Sequence, residues 1–173
     1  KGEKKTKDII VNIPFRSTKS LLVTVLYPVW CWVINPKMKF ITASYSAELS
    51  IEHATKSRDV IFSDWFTNLW GEYVKIKKDQ NLKARYENTS MGVRRATSVG
   101  GTITGQGGDI IIVDDPLSPQ NANSAIEREK ANEWYRTTLY SRLNNPHTGV
   151  RIIIMQRIHE RDLSGFLLQE NRA

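Results

Sequence analysis

Cysteine is nearly missing from this chain. Cys31 stands alone among 173 residues, so neither an intrachain disulfide nor a cysteine-based zinc cluster can be built from it. The default setting for such a sequence is reducing and intracellular. Long apolar runs are missing too: the longest, Leu21 to Ile34, is interrupted by Pro28 and falls short of the roughly 20 residues that a bilayer-spanning helix requires. No apolar leader pattern opens the sequence, which begins on lysines and passes almost at once into a strand pattern. There is no fixed-period repeat and no Pro/Gly/Ser-rich linker. Secreted, disulfide-rich and membrane-spanning classes are therefore not expected. What is present is a hydrophobic fraction of 40%, with five Trp, six Tyr and five Phe, which suits a packed core of one domain rather than disorder. Acidic residues are outnumbered, 18 against 25 Lys and Arg, and the net charge of +7 favours nucleic acid or another polyanion as partner.

Strand-like and helix-like segments alternate along the chain. Asp8 to Asn12 is a short apolar run closed by Pro14, and Ser20 to Val33 has helical spacing at Leu22, Val25, Leu26 and Val29, with Pro28 expected to kink or end it. Lys39 to Ala43 reads as a buried strand. Ala47 to Phe62 reads as an amphipathic helix with Ala47, Ile51, Ala54 and Ile61 on one face, and Tyr73 to Val99 as a hairpin turning near Met91-Gly92. Gly100 to Gly108 is a glycine-rich loop. The four β-branched residues Ile110 to Val113 have the pattern of a strand buried on both faces of a parallel sheet. Ser124 and Glu127 form a capping-box pair opening a helix that runs to about Leu143; Val150 to Met155 is another strand and Asp162 to Glu170 a last helix. This alternation implies an α/β fold, a parallel β-sheet with helices on both faces. Ligands of such sheets lie beyond the carboxyl ends of the strands, which places Pro14 to Ser20, Ser44 to Ser46, Asp114-Asp115 and Gln156 along one edge.

Those segments carry the residues suited to chemistry. Pro14-Phe15-Arg16-Ser17-Thr18-Lys19-Ser20 joins a strand to a helix, where backbone N–H groups converge on phosphate; Lys19 could neutralise β/γ oxygens and Ser20 could offer a hydroxyl to magnesium. Ile13 and Thr18 stand where the standard phosphate-loop pattern has glycines, and the alternative is a strand-to-helix turn with a solvated Lys19. Ile110 to Val113 ends in Asp114-Asp115-Pro116. Two acids there can order a magnesium shell (Asp114) and polarise an attacking water (Asp115), or simply start a turn. Gln156, after the strand Val150 to Met155, is placed to sense a γ-phosphate. His53, His147 and His159 lack metal-ligand spacing and suit solvated or capping roles. The five tryptophans (Trp30, Trp32, Trp65, Trp70 and Trp134) suit core or interface positions better than a base-stacking platform. Lys1, Lys4, Lys5 and Lys7 make a basic, solvated start.

Taken together, these elements resemble the ATPase domain of the tailed-bacteriophage large terminase subunit, a DNA-packaging motor. The resemblance rests on Ile13 to Ser20, similar to the family's Pro-Pro-Arg-x-x-Lys-Ser loop. It rests also on Thr42-Ala43-Ser44-Tyr45-Ser46, on Gly105 to Asp109 running into Ile110 to Pro116, and on Gln156-Arg157-Ile158-His159-Glu160-Arg161-Asp162-Leu163-Ser164-Gly165, similar to the family's coupling motif. It spans roughly Ile9 to Gln169. It implies a P-loop NTPase-type fold and Mg²⁺-dependent ATP hydrolysis, with Pro14, Phe15, Arg16, Ser17, Thr18, Lys19 and Ser20 around the phosphates, Ser20 and Asp114 on magnesium, and Asp115, Arg16 and Gln156 in catalysis and coupling. The implied partners are double-stranded DNA gripped by its backbone, a portal protein, a small terminase subunit and a homo-oligomeric ring, acting in the host cytoplasm on a procapsid. It further implies one ATPase domain over residues 1–173, without the family's upstream adenine-contacting segment or downstream nuclease. Phe15 departs from the family's second proline, Thr18 from its glycine and Asp115 from its frequent glutamate. For an arginine donated between subunits the candidates are Arg94 and Arg95, with Gln106 where relatives often carry arginine and Arg16 as a cis alternative. Two other readings stay open at this stage: another P-loop ATPase on nucleic acid, such as a helicase, and a nucleotide- or DNA-binding module with a degraded site.

Overall fold

A computed structural model describes residues 7–103, 105 and 107–170, so Lys1, Lys4, Lys5 and Gln106 lie outside the described residues. Seven strands form one sheet: β1 (Lys7–Asn12), β2 (Lys39–Ser44), β3 (Ile76–Asn81), β4 (Arg85–Asn88), β5 (Val93–Ser98), β6 (Ile110–Asp114) and β7 (Val150–Met155). Their spatial order is β1-β7-β6-β2-β5-β4-β3. The first five in that order are mutually parallel, with Ile10 beside Ile153, Val113 beside Ile153, Ala43 beside Val113, and Ala43 beside Thr97. The parallel sheet expected from the β-branched runs is thus present. It is extended by two antiparallel strands, β4 and β3, beyond β5. The expected hairpin near Met91-Gly92 is the β4–β5 pair, and β3 adds a third strand to that region.

Period-two alternation splits the buried strand residues between two cores. Phe40, Ile110, Ile112, Ile152 and Ile154 pack with Val29, Cys31 and Trp32 of α1 (Tyr27–Ile34), Ala54 and Ile61 of α2 (Ala47–Phe62), and Phe66 of α3 (Asp64–Trp70). Ile41, Ala43, Ile111, Val113, Ile153 and Met155 pack on the opposite face with Trp134 of α4 (Ala125–Trp134) and Leu163 and Leu167 of α5 (Leu163–Glu170). Trp32 and Trp134 are core residues, whereas Trp30 and Trp65 are exposed. Among the described residues no helix is long and apolar enough to cross a membrane.

Helix α1 departs from expectation at Pro28. The helical run opens as a π-helix over Leu21–Leu26, changes to α geometry at Tyr27 and continues through the proline to Ile34, so it does not end there. Pro28 lacks the N–H that would serve the Thr24 carbonyl. The structure supplies a substitute: Arg94 Nη2 donates to Thr24 O at 2.7 Å, and the next carbonyl, Val25 O, accepts from the Ser57 hydroxyl at 2.6 Å. The buried face of α2 also differs from its apolar reading. Ala47 is exposed, while Ser50, His53 and Ser57 are buried beside Ala54 and Ile61. Helix α4 begins at its capping box, the Ser124 hydroxyl accepting from Glu127 N at 3.3 Å, and a π stretch (Tyr135–Leu139) and a 3₁₀ turn (Tyr140–Arg142) carry the run to its expected end.

Candidate active site

At the carboxyl edge of the sheet, Ile13 N donates to Met155 O at 3.1 Å and keeps the chain in register with β7 before it leaves β1. The loop that follows is folded on itself: the Ser17 hydroxyl donates to Pro14 O at 2.6 Å, and Leu22 N donates to Thr18 O at 3.0 Å, opening the helix. Arg16 and Thr18 occupy left-handed backbone, at φ 60° and 59°. That conformation costs an L-residue roughly 1–2 kcal/mol, which is the physical reason a glycine suits position 18. Pro14, Phe15, Arg16 and Thr18 are exposed, and Ser17 and Ser20 are half-buried.

Lys19 is the buried residue of the loop, at 7% exposure, contrary to the solvated reading. Its ammonium lies 2.6 Å from Asp115 Oδ2 and 5.5 Å from the centre of the Phe15 ring. Asp115 is also in left-handed backbone (φ 45°), which turns it off the end of β6. Its second oxygen accepts from Gln156 N at 3.0 Å. The Ser20 hydroxyl donates to Asp114 Oδ1 at 3.0 Å, and Asp114 Oδ2 accepts from the Thr24 hydroxyl at 2.7 Å. Lys19, Ser20, Asp114, Asp115 and Gln156 therefore converge as the motifs imply. Arg16 shares the loop, exposed.

Asp114 is fully buried, and His53 Nδ1 lies 3.6 Å from its Oδ2. Burial raises the Asp114 carboxyl above the ordinary aspartate value; the Thr24 hydroxyl, His53 and the Ser20 hydroxyl oppose the rise. Burial likewise lowers His53, aided by the Arg94 charge and opposed by Asp114. Desolvation thus outweighs attraction on both sides of this contact, and His53 is a neutral imidazole near neutral pH. Three buried polar atoms here have no hydrogen-bond partner: Ser44 Oγ, His53 Nδ1 and Gln156 Oε1. Strand register sets Ser44, Asp114 and Gln156 at the ends of the neighbouring strands β2, β6 and β7.

Sequence reading placed Ser44 on this edge without a role but missed Thr24 and His53, the latter being buried beside Asp114 rather than solvated or capping. One signal was available for the histidine: Ser50, His53 and Ser57 fall at helical spacing on the face that also carries Ala54 and Ile61. His159 does cap, its Nδ1 accepting from Arg161 N at 3.0 Å. Arg94 is removed as a candidate for donation to a neighbouring subunit. It is 1% exposed, and its guanidinium is committed to the Ser57 hydroxyl (2.6 Å) and Thr24 O (2.7 Å). Arg95 faces the other side of β5 and lines a cleft with Lys39, Arg85, Glu87 and Val93, none of them from the Pro14–Ser20 loop.

The segment after Gln156 has its own local cause. Asp162, fully buried, accepts from Ile158 N (3.1 Å) and His159 N (3.3 Å) with one oxygen and from Gly165 N (3.0 Å) with the other, and pairs with Arg157. A Cβ at Gly165 would come within 1.9 Å of Glu160 O, so only glycine fits. The Ser164 hydroxyl donates to Asn12 Oδ1 at 2.9 Å, tying α5 to the end of β1 just before the phosphate loop.

Magnesium suits this donor set. Among the described residues no group of three or more His, Cys, Asp or Glu side chains could hold a metal alone. One hydroxyl and one carboxylate, completed by phosphate oxygens and water, is the sparse protein ligation that Mg²⁺ accepts.

No protein-family model and no curated protein matches the sequence. Solved structures do match. The ATPase domain of the Thermus phage P74-26 large terminase, in a variant form, superposes over 91% of this chain with a TM-score of 0.54 at 10% identity. This chain has the fold of a large-terminase ATPase domain. It spans 62% of the length of that domain. The N-terminal domain of the DNA-packaging ATPase from bacteriophage phi29 matches over 97% of this chain and 80% of its own length, at 12% identity and a TM-score of 0.46.

Proposed function

We propose that this chain is the ATP-hydrolysing motor domain of a phage DNA-packaging machine, driving double-stranded DNA into a procapsid. The observation that supports it most is the convergence of Lys19, Ser20, Asp114, Asp115 and the Gln156 N–H from three separate segments onto one sheet edge. In this reading Lys19 leaves Asp115 for the β/γ oxygens of ATP, with Arg16 beside it on the exposed side of the loop. Asp115, freed, accepts a proton from the attacking water. Gln156 lies between Asp115 and the segment that Ser164 ties to β1, so loss of the γ-phosphate is passed to α5. Magnesium, when bound by Ser20 and Asp114, supplies neutralisation of charge on the phosphates. Partners of matching chemistry are duplex DNA held by its phosphates, further copies of the chain in a ring, a portal protein and a small terminase subunit, on a procapsid in the host cytoplasm.

Phosphate release in the presence of duplex DNA tests it. Lys19→Ala should lower turnover by at least about 10²-fold, the size of one lost charge-stabilising donor. Hydrolysis at the parent rate would overturn the assignment. Affinities for two unrelated duplexes should fall in parallel across a salt series, and a fork substrate should stay annealed, which separates the reading from a helicase. One observation favours a second reading, a binding module that no longer turns over: Thr18 sits in left-handed backbone where glycine is at ease, and Lys19 is locked on Asp115. Nucleotide binding without phosphate release, at every protein concentration, would select it.

A further inference from the structure

The two oxygens of Asp114 have different surroundings. Oδ1 accepts from Ser20, half-buried at the end of the Pro14–Ser20 loop, at 3.0 Å. Oδ2 points inward, accepting from the Thr24 hydroxyl at 2.7 Å and facing His53 Nδ1 at 3.6 Å. Thr24 is 1% exposed and His53 7%. His53 Nδ1 has no other partner. Both residues are themselves braced. The Thr24 carbonyl is held by Arg94, Arg94 by Ser57, and Ser57 by the Val25 carbonyl. His53 rides on α2, whose Ser50 hydroxyl is fastened to Thr42 O at 3.1 Å on β2. Burying an imidazole, three hydroxyls and a guanidinium together is costly where hydrocarbon would fill the same space. The opposite layer also buries a guanidinium, Arg151, but pairs it with Asp8 near the start of β1, whereas among the described residues no carboxylate pairs with Arg94 and the polar groups here surround Asp114 at the carboxyl edge.

We infer that Thr24 and His53 are positioning residues: they hold Oδ2 of Asp114 on the inner side, so that Oδ1 alone, beside Ser20, is presented to the divalent cation of a bound nucleotide. Second partners of this kind orient a metal-binding carboxylate and set its affinity without touching the ion. This inference rests on the nucleotide-site reading above.

The test is equilibrium binding of the fluorescent probe mant-ADP, first in EDTA and then across a MgCl₂ series, on the parent, Thr24→Val, Thr24→Ser, His53→Leu and His53→Gln. Affinity in EDTA should be the same in all five, because neither residue faces the phosphates. The Mg²⁺ midpoint should rise by about 10-fold or more in Thr24→Val and His53→Leu, the usual size of a lost outer partner, and return to the parent value in Thr24→Ser. A merely structural role would move both affinities together or neither. Parental Mg²⁺ midpoints in Thr24→Val and His53→Leu overturn the inference while leaving the nucleotide site intact. Should those two fail to fold, His53→Gln decides. It keeps a polar side chain but has no donor at the Nδ1 position, so a raised midpoint supports the inference and an unchanged one ends it. Absence of mant-ADP binding in the parent, with and without Mg²⁺, overturns the site reading itself and the inference with it.

Discussion

The two faces of the sheet are built from alternate residues of the same strands, yet they differ in kind. On one face Ile41, Ala43, Ile111, Val113, Ile153 and Met155 meet Trp134, Tyr135, Leu139, Leu163 and Leu167, a core of hydrocarbon and aromatic rings. On the other, Phe40, Ile112 and Ile154 give way toward the carboxyl edge to Ser44, Asp114 and Gln156. The helices opposite answer with Thr24, Ser50, His53 and Ser57, and β5 with Arg94. Among the described residues, three of the four non-glycine residues with positive φ, namely Arg16, Thr18 and Asp115, cluster at that same edge. Strain and, among the described residues, four of the six unpartnered buried polar atoms are thus gathered on the side that carries the site, while the opposite layer is mainly hydrocarbon, its buried Arg151 paired with Asp8. Such a division is expected where one layer must hold reacting groups in place and the other supplies the stability that permits it.

If the division is real, substitutions on the two faces should separate activity from stability. The largest effect is expected at Asp115. Asp115→Asn keeps the size of the side chain and leaves Asp114 and Ser20 in place, so Mg-nucleotide binding should persist while hydrolysis slows by roughly 10²–10⁴, the range of a proton-accepting group. Single-turnover phosphate release beside a nucleotide-binding titration checks both halves. Equal losses of nucleotide affinity in Asp114→Asn and Asp115→Asn would break the proposed division of labour between them.

On the hydrocarbon face the converse holds. Leu139 is fully buried against Trp134 and Tyr135. Leu139→Ala should cost about 2–5 kcal/mol of unfolding free energy through lost burial and a residual cavity. Turnover per folded molecule should stay at the parent value. Denaturant unfolding gives the first quantity and active-site titration the second; a Leu139→Ala protein that is stable but slow would mean the faces are not separable.

A smaller effect separates the faces by pH. Burial holds the Cys31 thiol, on the polar face, above its ordinary 9.0, and pushes Tyr27 from 10.0 up to about 12. Tyr135, on the hydrocarbon face, is raised as well, again chiefly by burial. Each group keeps its proton longer folded than unfolded. The stability they contribute is therefore complete below about pH 9 and drains away as pH climbs through the folded values. These three groups add no slope below that point, and melting temperature should decline beyond it. Cys31→Ala removes the earliest leg, so its decline should begin nearer the tyrosines' ordinary 10.0. An onset that does not move would assign the decline to the tyrosines alone.

What the sequence makes legible follows the same divide. The parallel core can be read because Ile110 to Val113 and Ile152 to Met155 are apolar on successive residues, a pattern suited to a doubly covered strand. Lys19, Ser20, Asp114, Asp115 and Gln156 can be read from motif order. Strand β3, Ile-Lys-Lys-Asp-Gln-Asn, cannot, since an edge strand with polar side chains has the composition of a loop. Helix α3 is hidden by its seven-residue length. Thr24, His53 and Arg94 are hidden for a different reason: hydroxyl, imidazole and guanidinium groups are ordinarily exposed, and only tertiary contacts reveal that these are buried around one carboxylate.

The smallest expected effect concerns the strained edge itself, at Thr18. With φ 59°, Thr18 holds a conformation that glycine adopts freely. Its hydroxyl donates only to the neighbouring Ser17 carbonyl at 2.6 Å, and the side chain is exposed, so little packing is lost on removing it. Thr18→Gly relieves about 1–2 kcal/mol of backbone strain. Against this stands the greater freedom that glycine gives the unfolded chain, worth about 0.4–1 kcal/mol. The balance is a gain of between about 0 and 1.6 kcal/mol, a substitution to glycine that does not destabilise and on average stabilises. Thr67, exposed within α3, provides the counterexample. There the backbone is helical, and Thr67→Gly should cost a few tenths of a kcal/mol on helix propensity alone, with the loss of its hydroxyl bond to Ser63 O at 3.0 Å added. Opposite signs for one substitution at two sites would show that the phosphate loop stores strain that the packed helices do not. Destabilisation at both would show that Thr18 is at ease in its turn, and that the departure from glycine in the loop carries no energetic cost.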